Sequence, residues 1–181
     1  SWVVGQATDA KALDSNLPGI DHSANSKKGG IVYLSVKSSP SLGQGMMLSP
    51  VYSKASFGCT FTFWYYTSNS LTKLSVYLIQ NNQKSSRILW QTEKGTANTW
   101  QQASVDIPAC STNFQLRIVG QLNSYYSAAI ALDDFRFDGC YDAPRSYPWC
   151  PWSQFLCSSE ISCIPETSKC DFQSDCCSGT D

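Results

Sequence analysis

The last twelve residues, "CDFQSDCCSGTD", set three carboxylates (Asp171, Asp175, Asp181) among three cysteines (Cys170, Cys176, Cys177). Two chemistries compete for such a run. Carboxylates with neighbouring carbonyls make an oxygen cage for a hard cation, whereas thiols pair as disulfides or, as thiolates, take zinc. Nine cysteines are present, six of them between Cys150 and Cys177. Zinc is disfavoured, because the sole imidazole, His22, lies far away in sequence and the run lacks paired C-x-x-C knuckles. A disulfide scaffold, and with it an extracellular location, is the expectation.

The other chemistry-bearing residues are His22, Asp21 and the pair Asp133-Asp134. A Ser-His-Asp or Cys-His device needs a general base, and a lone His in "DHS" is more readily structural. Two neighbouring carboxylates suit a glycosidase only if they flank one bond. Strand alternation points Asp133 and Asp134 to opposite faces, which argues against that. Two readings of the pair stand: structural hydrogen bonding, or a cation site in which Asp133 or Asp134 joins Asp21. A non-enzymatic protein is the expectation.

These residues must be held by strands. "IVYLSV" (31–36), "CTFTFWYY" (59–66), "LSVYLI" (74–79), "RILWQT" (87–92), "ASVDI" (103–107), "FQLRIV" (114–119) and "AAIALDDFRF" (128–137) are β-branched or aromatic runs. Gly, Asn, Ser and Pro clusters separate them. In "FQLRIV", Phe114, Leu116 and Ile118 fall on one face, with Gln115 and Arg117 on the other. No helical period is sustained, so two packed antiparallel sheets are predicted. A formal net charge of −1, with cations dispersed, gives no footprint for nucleic acid or anionic membrane. No apolar run reaches the roughly 20 residues needed to cross a bilayer.

The succession "DHSANSKKGGIVYLSV", "MMLSPVY", "CTFTFWYYTSNSLTKLSVYLI", "ILWQTEKGTANTWQQASVDIP", "FQLRIVGQ" and "AAIALDDFRFDGC" resembles a MAM domain, the module of meprins, neuropilins and receptor tyrosine phosphatases. The resemblance covers residues 1–140 and implies an all-β jelly-roll sandwich of two antiparallel sheets, serving extracellular adhesion or subunit association. It also implies a bond between Cys59 and Cys140. The family's first two cysteines and opening strand are expected ahead of Trp2. Cation sites of the Asp21, Asp133, Asp134 kind are known in some MAM domains.

Residues 150–181, after a linker at 141–149, resemble a class A module of the LDL receptor. That resemblance implies pairing of Cys150 with Cys163 and Cys157 with Cys176, with Cys170 reserved for a sixth cysteine beyond Asp181. It also implies a calcium cage from the carboxylates of Asp171, Asp175 and Asp181 and the carbonyls of Ser168 and Gln173. So small a unit buries too little to offset its chain entropy without cross-links and an ion.

Cys110 and Cys177 remain unassigned, either bridging to another domain or chain or staying local. Trp64, Trp90 and Trp100 are expected in strand packing, and Trp149 and Trp152 at the boundary between the two units. The functional expectation is a non-enzymatic extracellular fragment for protein–protein adhesion, oligomerisation or ligand capture, with homophilic partners included. The alternative is a carbohydrate-binding, lectin-like sandwich.

Overall fold

The computed structural model describes residues 1–36, 43–55, 58–80, 85–92, 98–108, 111–122, 128–140, 150, 152–157, 162–169 and 176. Alternating apolar runs pair into two antiparallel sheets. The first has the order β1 (Val3–Gln6), β2 (Gly30–Val36), β10 (Ala128–Asp138), β5 (Thr60–Thr67), β8 (Trp100–Asp106). The second has the order β3 (Gly43–Leu48), β9 (Thr112–Leu122), β6 (Thr72–Gln80), β7 (Ser85–Gln91), with β4 (Tyr52–Lys54) also pairing with β9. The predicted jelly-roll sandwich is therefore the observed fold.

The main core lies between the sheets. Phe61 and Phe63 of β5, Leu74, Val76 and Leu78 of β6, Phe114, Leu116 and Ile118 of β9, and Ile130 and Leu132 of β10 are all buried there. The face expected of "FQLRIV" is thus the one the core takes. Trp90 closes the edge, its ring 5.5 Å from Phe63 and 5.3 Å from Tyr65. Trp2 packs against the same core, and Gly120 makes room for it: a Cβ there would sit 2.8 Å from Trp2 Cζ2.

A second apolar cluster lies on the outer side of the first sheet. Here the expectation of no helix is corrected: Ala7–Leu13 forms α1. Seven residues are too few to show a period, and a helix so short depends on packing. Ala7 and Ala10, one turn apart, are fully buried with Leu17 against Ile31, Tyr33, Tyr66, Ala129 and Ala131 of the sheet. Asp9 in the first turn suits the helix dipole. The amides of Ala7 and Thr8 donate to the carbonyls of Gly29 and Lys27, which satisfies two of the four donors a helix start leaves open. Buried Asp14 ends the helix and accepts from the Ser35 hydroxyl at 2.6 Å.

β1, β3 and β4 were not among the expected strands. β1 is an edge strand with Val3 and Val4 exposed, and β3 begins Gly-Gln-Gly, a composition that reads as a turn. A hairpin of β11 (Gln154–Cys157) and β12 (Ser162–Pro165), then a 3-10 turn at Glu166–Ser168, forms the described part of the cysteine-rich stretch. No helix of the described residues is long and apolar enough to cross a membrane.

Candidate functional site

The sequence-predicted acids of the sandwich meet at one place, where β10 is bulged. Inward residues of β10 are Ile130 and Leu132 and then Phe137, with Phe135 stacked on Phe61 at 6.1 Å. Between Leu132 and Phe135 the step is three residues rather than two. Pairing with β5 accordingly slips between Asp133 and Arg136, and Asp134 takes a left-handed φ of 51°. The expectation that Asp133 and Asp134 point to opposite faces is corrected: the bulge turns both carboxylates to the segment 21–24.

Both carboxylates are engaged there. Asp133 Oδ2 accepts the His22 amide at 2.8 Å, and its Oδ1 accepts the Asp134 amide at 2.8 Å. Asp134 Oδ2 lies 2.7 Å from His22 Nδ1, and its Oδ1 accepts the Ser23 hydroxyl at 2.7 Å. For the first of these contacts to be a hydrogen bond, Nδ1 carries the proton. The imidazole stacks on Trp64, centroids 3.6 Å apart, and meets Trp100 edge-on at 6.1 Å. Partial burial pushes the Asp134 carboxyl up, but bonds from Ser23 and His22 outweigh it and hold the group below the ordinary carboxylate range.

Asp21 is buried within the same segment, where it accepts the amides of Ser26 at 2.5 Å and Ala24 at 3.2 Å. A Cβ at Gly29 would collide with the Asp21 carboxyl group, so the segment closes only with glycine there. Asp133 and Asp134 thus hold one loop against β10 and Asp21 closes that loop on itself, each carboxylate oxygen bonded to protein. Among the described residues no group of three or more His, Cys, Asp or Glu side chains is arranged to hold a metal.

Among the described residues the disulfides have two locations. Cys59, just before β5, is bonded to Cys140, just after β10, across 81 residues of sequence. In the hairpin region Cys150 is bonded to Cys163 and Cys157 to Cys176; Cys157, Ile164 and Cys176 form a small buried cluster, with Phe155 packed against it. Of the expected calcium cage only Ser168 is described, in the 3-10 turn. Asp171, Gln173, Asp175 and Asp181 lie outside the described residues, as do Cys110, Cys170 and Cys177. Trp152 is fully exposed, which corrects its expected packing at a boundary; Trp149 lies outside the described residues.

A cleft of about 200 Å³ is lined by residues of both sheets, chiefly Met47, Tyr52, Phe61, Ile118, Phe135 and Phe137. Sequence reasoning missed it because it needs β3 beside β9 and the bulge that brings Phe135 inward. The parity break in the apolar positions 130, 132, 135 and 137 was the available signal.

Residues 1–141 match the family model described as "MAM domain, meprin/A5/mu". The chain belongs to the MAM domain family. Among solved structures, the MAM sandwich is similar to one described as carbohydrate-binding modules from the β-sandwich superfamily, with TM-score 0.50 and 12% identity over 76% of this chain and 53% of that one. It also resembles the K1 cleaved adhesin domain of Lys-gingipain from Porphyromonas gingivalis W83, at TM-score 0.49 and 20% identity over 76% and 82% of the two chains. A third is a carbohydrate-binding module in complex with β-1,4-galactotriose, at TM-score 0.46 and 12% identity over 76% and 87%. At these identities the likeness is one of fold alone.

Proposed function

We infer that the chain is a non-enzymatic extracellular interaction fragment: a MAM sandwich that binds protein, followed by a class A-type unit stabilised by calcium. The observation carrying this reading is the use made of the sandwich's chemistry-bearing groups. His22, Asp21, Asp133 and Asp134 are all bonded in closing a loop, so the best acid–base candidates act as structure. The disulfides support an oxidising compartment.

The hairpin with its Cys150–Cys163 and Cys157–Cys176 bonds is compatible with the class A reading. Oxygen ligands from Asp171, Asp175, Asp181, Ser168 and Gln173 suit calcium rather than zinc. The ion's binding energy would then be part of the unit's folding energy. Calcium titration by calorimetry, with hydrogen exchange in calcium and in chelator, tests it. Heat of binding with protection of residues 150–181 is expected; no heat, with equal protection in both, overturns the calcium assignment.

Carbohydrate binding is the second reading, favoured by the sandwich fold shared with a carbohydrate-binding structure. Against it, one face of Trp64 is covered by His22, and the cleft is lined mostly by apolar side chains where a sugar would need polar partners. A fluorescent tetramer of the fragment on cells distinguishes the two. Staining lost after trypsin treatment and kept after deglycosylation supports protein binding; the reverse pattern supports the sugar.

A further inference from the structure

On the outward face of the second sheet Ser75, Ile79 and Val119 are buried, while Met46, Leu48 and Ile88 stay exposed. Its strands carry no Asp or Glu: β3 reads GQGMML, β9 TNFQLRIVGQL, β6 TKLSVYLIQ and β7 SSRILWQ. They do carry Lys73, Arg87 and Arg117. The described carboxylates of the sandwich are Asp106, Asp133, Asp134 and Asp138 on the first sheet and Asp9, Asp14 and Asp21 on the segment packed over it. A chain of nearly zero net charge therefore has one acid-free sheet.

Pairing registers put one row straight across that sheet. Leu48 of β3 lies opposite Arg117 of β9, Arg117 opposite Tyr77 of β6, and Tyr77 opposite Ile88 of β7. Leu116 and Ile118 point into the core, so by alternation Arg117 points out, and directly opposed partners share its face. Its guanidinium lies 4.9 Å over the Tyr77 ring. Its Nε is sealed from solvent with no hydrogen-bond partner, and it makes no ion pair among the described residues. Around it Leu48, Ile88 and Met46 are 42%, 49% and 57% exposed.

An arginine held flat on a tyrosine, stripped of competing acids and ringed by exposed Leu, Ile and Met, has the chemistry of a protein-binding hot spot: Arg, Tyr and Met are enriched at interfaces while Asp, Glu and Lys are depleted. We propose that this face docks a partner protein segment that offers a carboxylate between apolar side chains, with Arg117 receiving the carboxylate and Leu48, Met46 and Ile88 the flanking apolar groups. Charge complementarity selects the acid, and the partly exposed apolar ring selects protein over sugar. The proposal rests on the protein-interaction reading and deepens it by naming the surface and the partner's chemistry.

The test is an NMR titration of the isotope-labelled chain with acetyl-Leu-Glu-Leu-amide at millimolar concentration, beside the Gln and Lys analogues and a sialylated trisaccharide. The Glu peptide is expected to shift amides around Arg117, Tyr77, Met46 and Ile88, and to bind about tenfold or more tightly than the Gln analogue, the ratio a charged hydrogen bond supplies. Arg117→Gln should remove that preference. Met46→Glu, which leaves the arginine in place but gives it an internal acid, should do the same should Arg117→Gln fail to fold. No shifts on this face, or equal binding of the Glu and Gln peptides, overturns the proposal. So does an equal response to the sialylated sugar, or shifts that change on dilution without peptide, which would make the occupant a glycan or a second copy. Cell staining by the tetramer is independent of these outcomes, so the interaction reading survives or fails by its own measurement.

Discussion

The two outer faces of the sandwich have opposite fates. Part of the first sheet is covered by the chain itself, with Ala7 and Ala10 of α1 and Leu17 packed on Ile31, Tyr33, Tyr66, Ala129 and Ala131 and His22 stacked on Trp64. The rest of that face, around Thr60, Thr62, Gln102, Ser104 and Asp106, is polar. The second sheet's outer face buries Ser75, Ile79 and Val119 but leaves Met46, Leu48 and Ile88 exposed. Both sheets are built from strands rich in β-branched and aromatic residues, but their acids are unevenly placed. The carboxylates mark the difference: Asp133 and Asp134 bond the covering loop to the first sheet, Asp21 closes that loop on itself, and the described strands of the second sheet carry none.

The largest effect should come from cutting the bond that ties the closed face together. Cys140→Ser removes the Cys59–Cys140 cross-link between the ends of β5 and β10, and a loss of about 2–5 kcal/mol is expected. Thermal unfolding checks it. Should the melting temperature hardly move, the bond is not what secures the first sheet.

Next comes Gly29→Ala, which forces a methyl group into the Asp21 carboxyl. Crowding of this kind costs about 1–3 kcal/mol, and the damage should be local. Hydrogen exchange should rise in residues 7–29 while β6 and β9 keep their protection; uniform loss across both sheets would mean that the cover is not a separate closure.

In outline the fold was legible from the sequence, because one-face apolar alternation, as in Phe114, Leu116 and Ile118, survives wherever a strand is straight. The candidate site was less so. The bulge at Asp134 leaves its trace in the three-residue step from Leu132 to Phe135, which simple strand alternation passes over. Helix α1 was invisible because its information lies in two alanines that matter only once the sheet is beneath them. The Arg117–Tyr77 stack depends on the register of β9 against β6, which no local pattern encodes.

A smaller effect sharpens the comparison through pH. Asp134 is held below the ordinary carboxylate range when folded, so its contribution is fully present at neutral pH, above the unfolded-state value. It is lost as pH falls through the lowered folded value. Asp134→Asn should therefore cost less than about 1 kcal/mol at neutral pH, as suits a partly exposed pair. The gap from wild type should close in strong acid, and a gap independent of pH would assign the loss to packing instead.

Least of all should follow from Arg117→Gln, since the open face supports little besides its cation–π contact. A change within about 1 kcal/mol is expected, and an unfolding midpoint shifted as far as that of Cys140→Ser would show that the second sheet's face is structural after all.

The Cys59–Cys140 bond also bears on mechanics. β10 is the last strand of the sandwich and sits between β2 and β5, so tension arriving from residues beyond 140 would otherwise peel it from the middle of its sheet. With the bond intact, that tension passes at Cys140 directly to Cys59. The 81-residue stretch between them, on the order of 280 Å of extended chain, is shielded from the load. A tether pulled at both ends would lengthen only through the segment before Cys59 and the residues after Cys140, and reduction would release the hidden length at once.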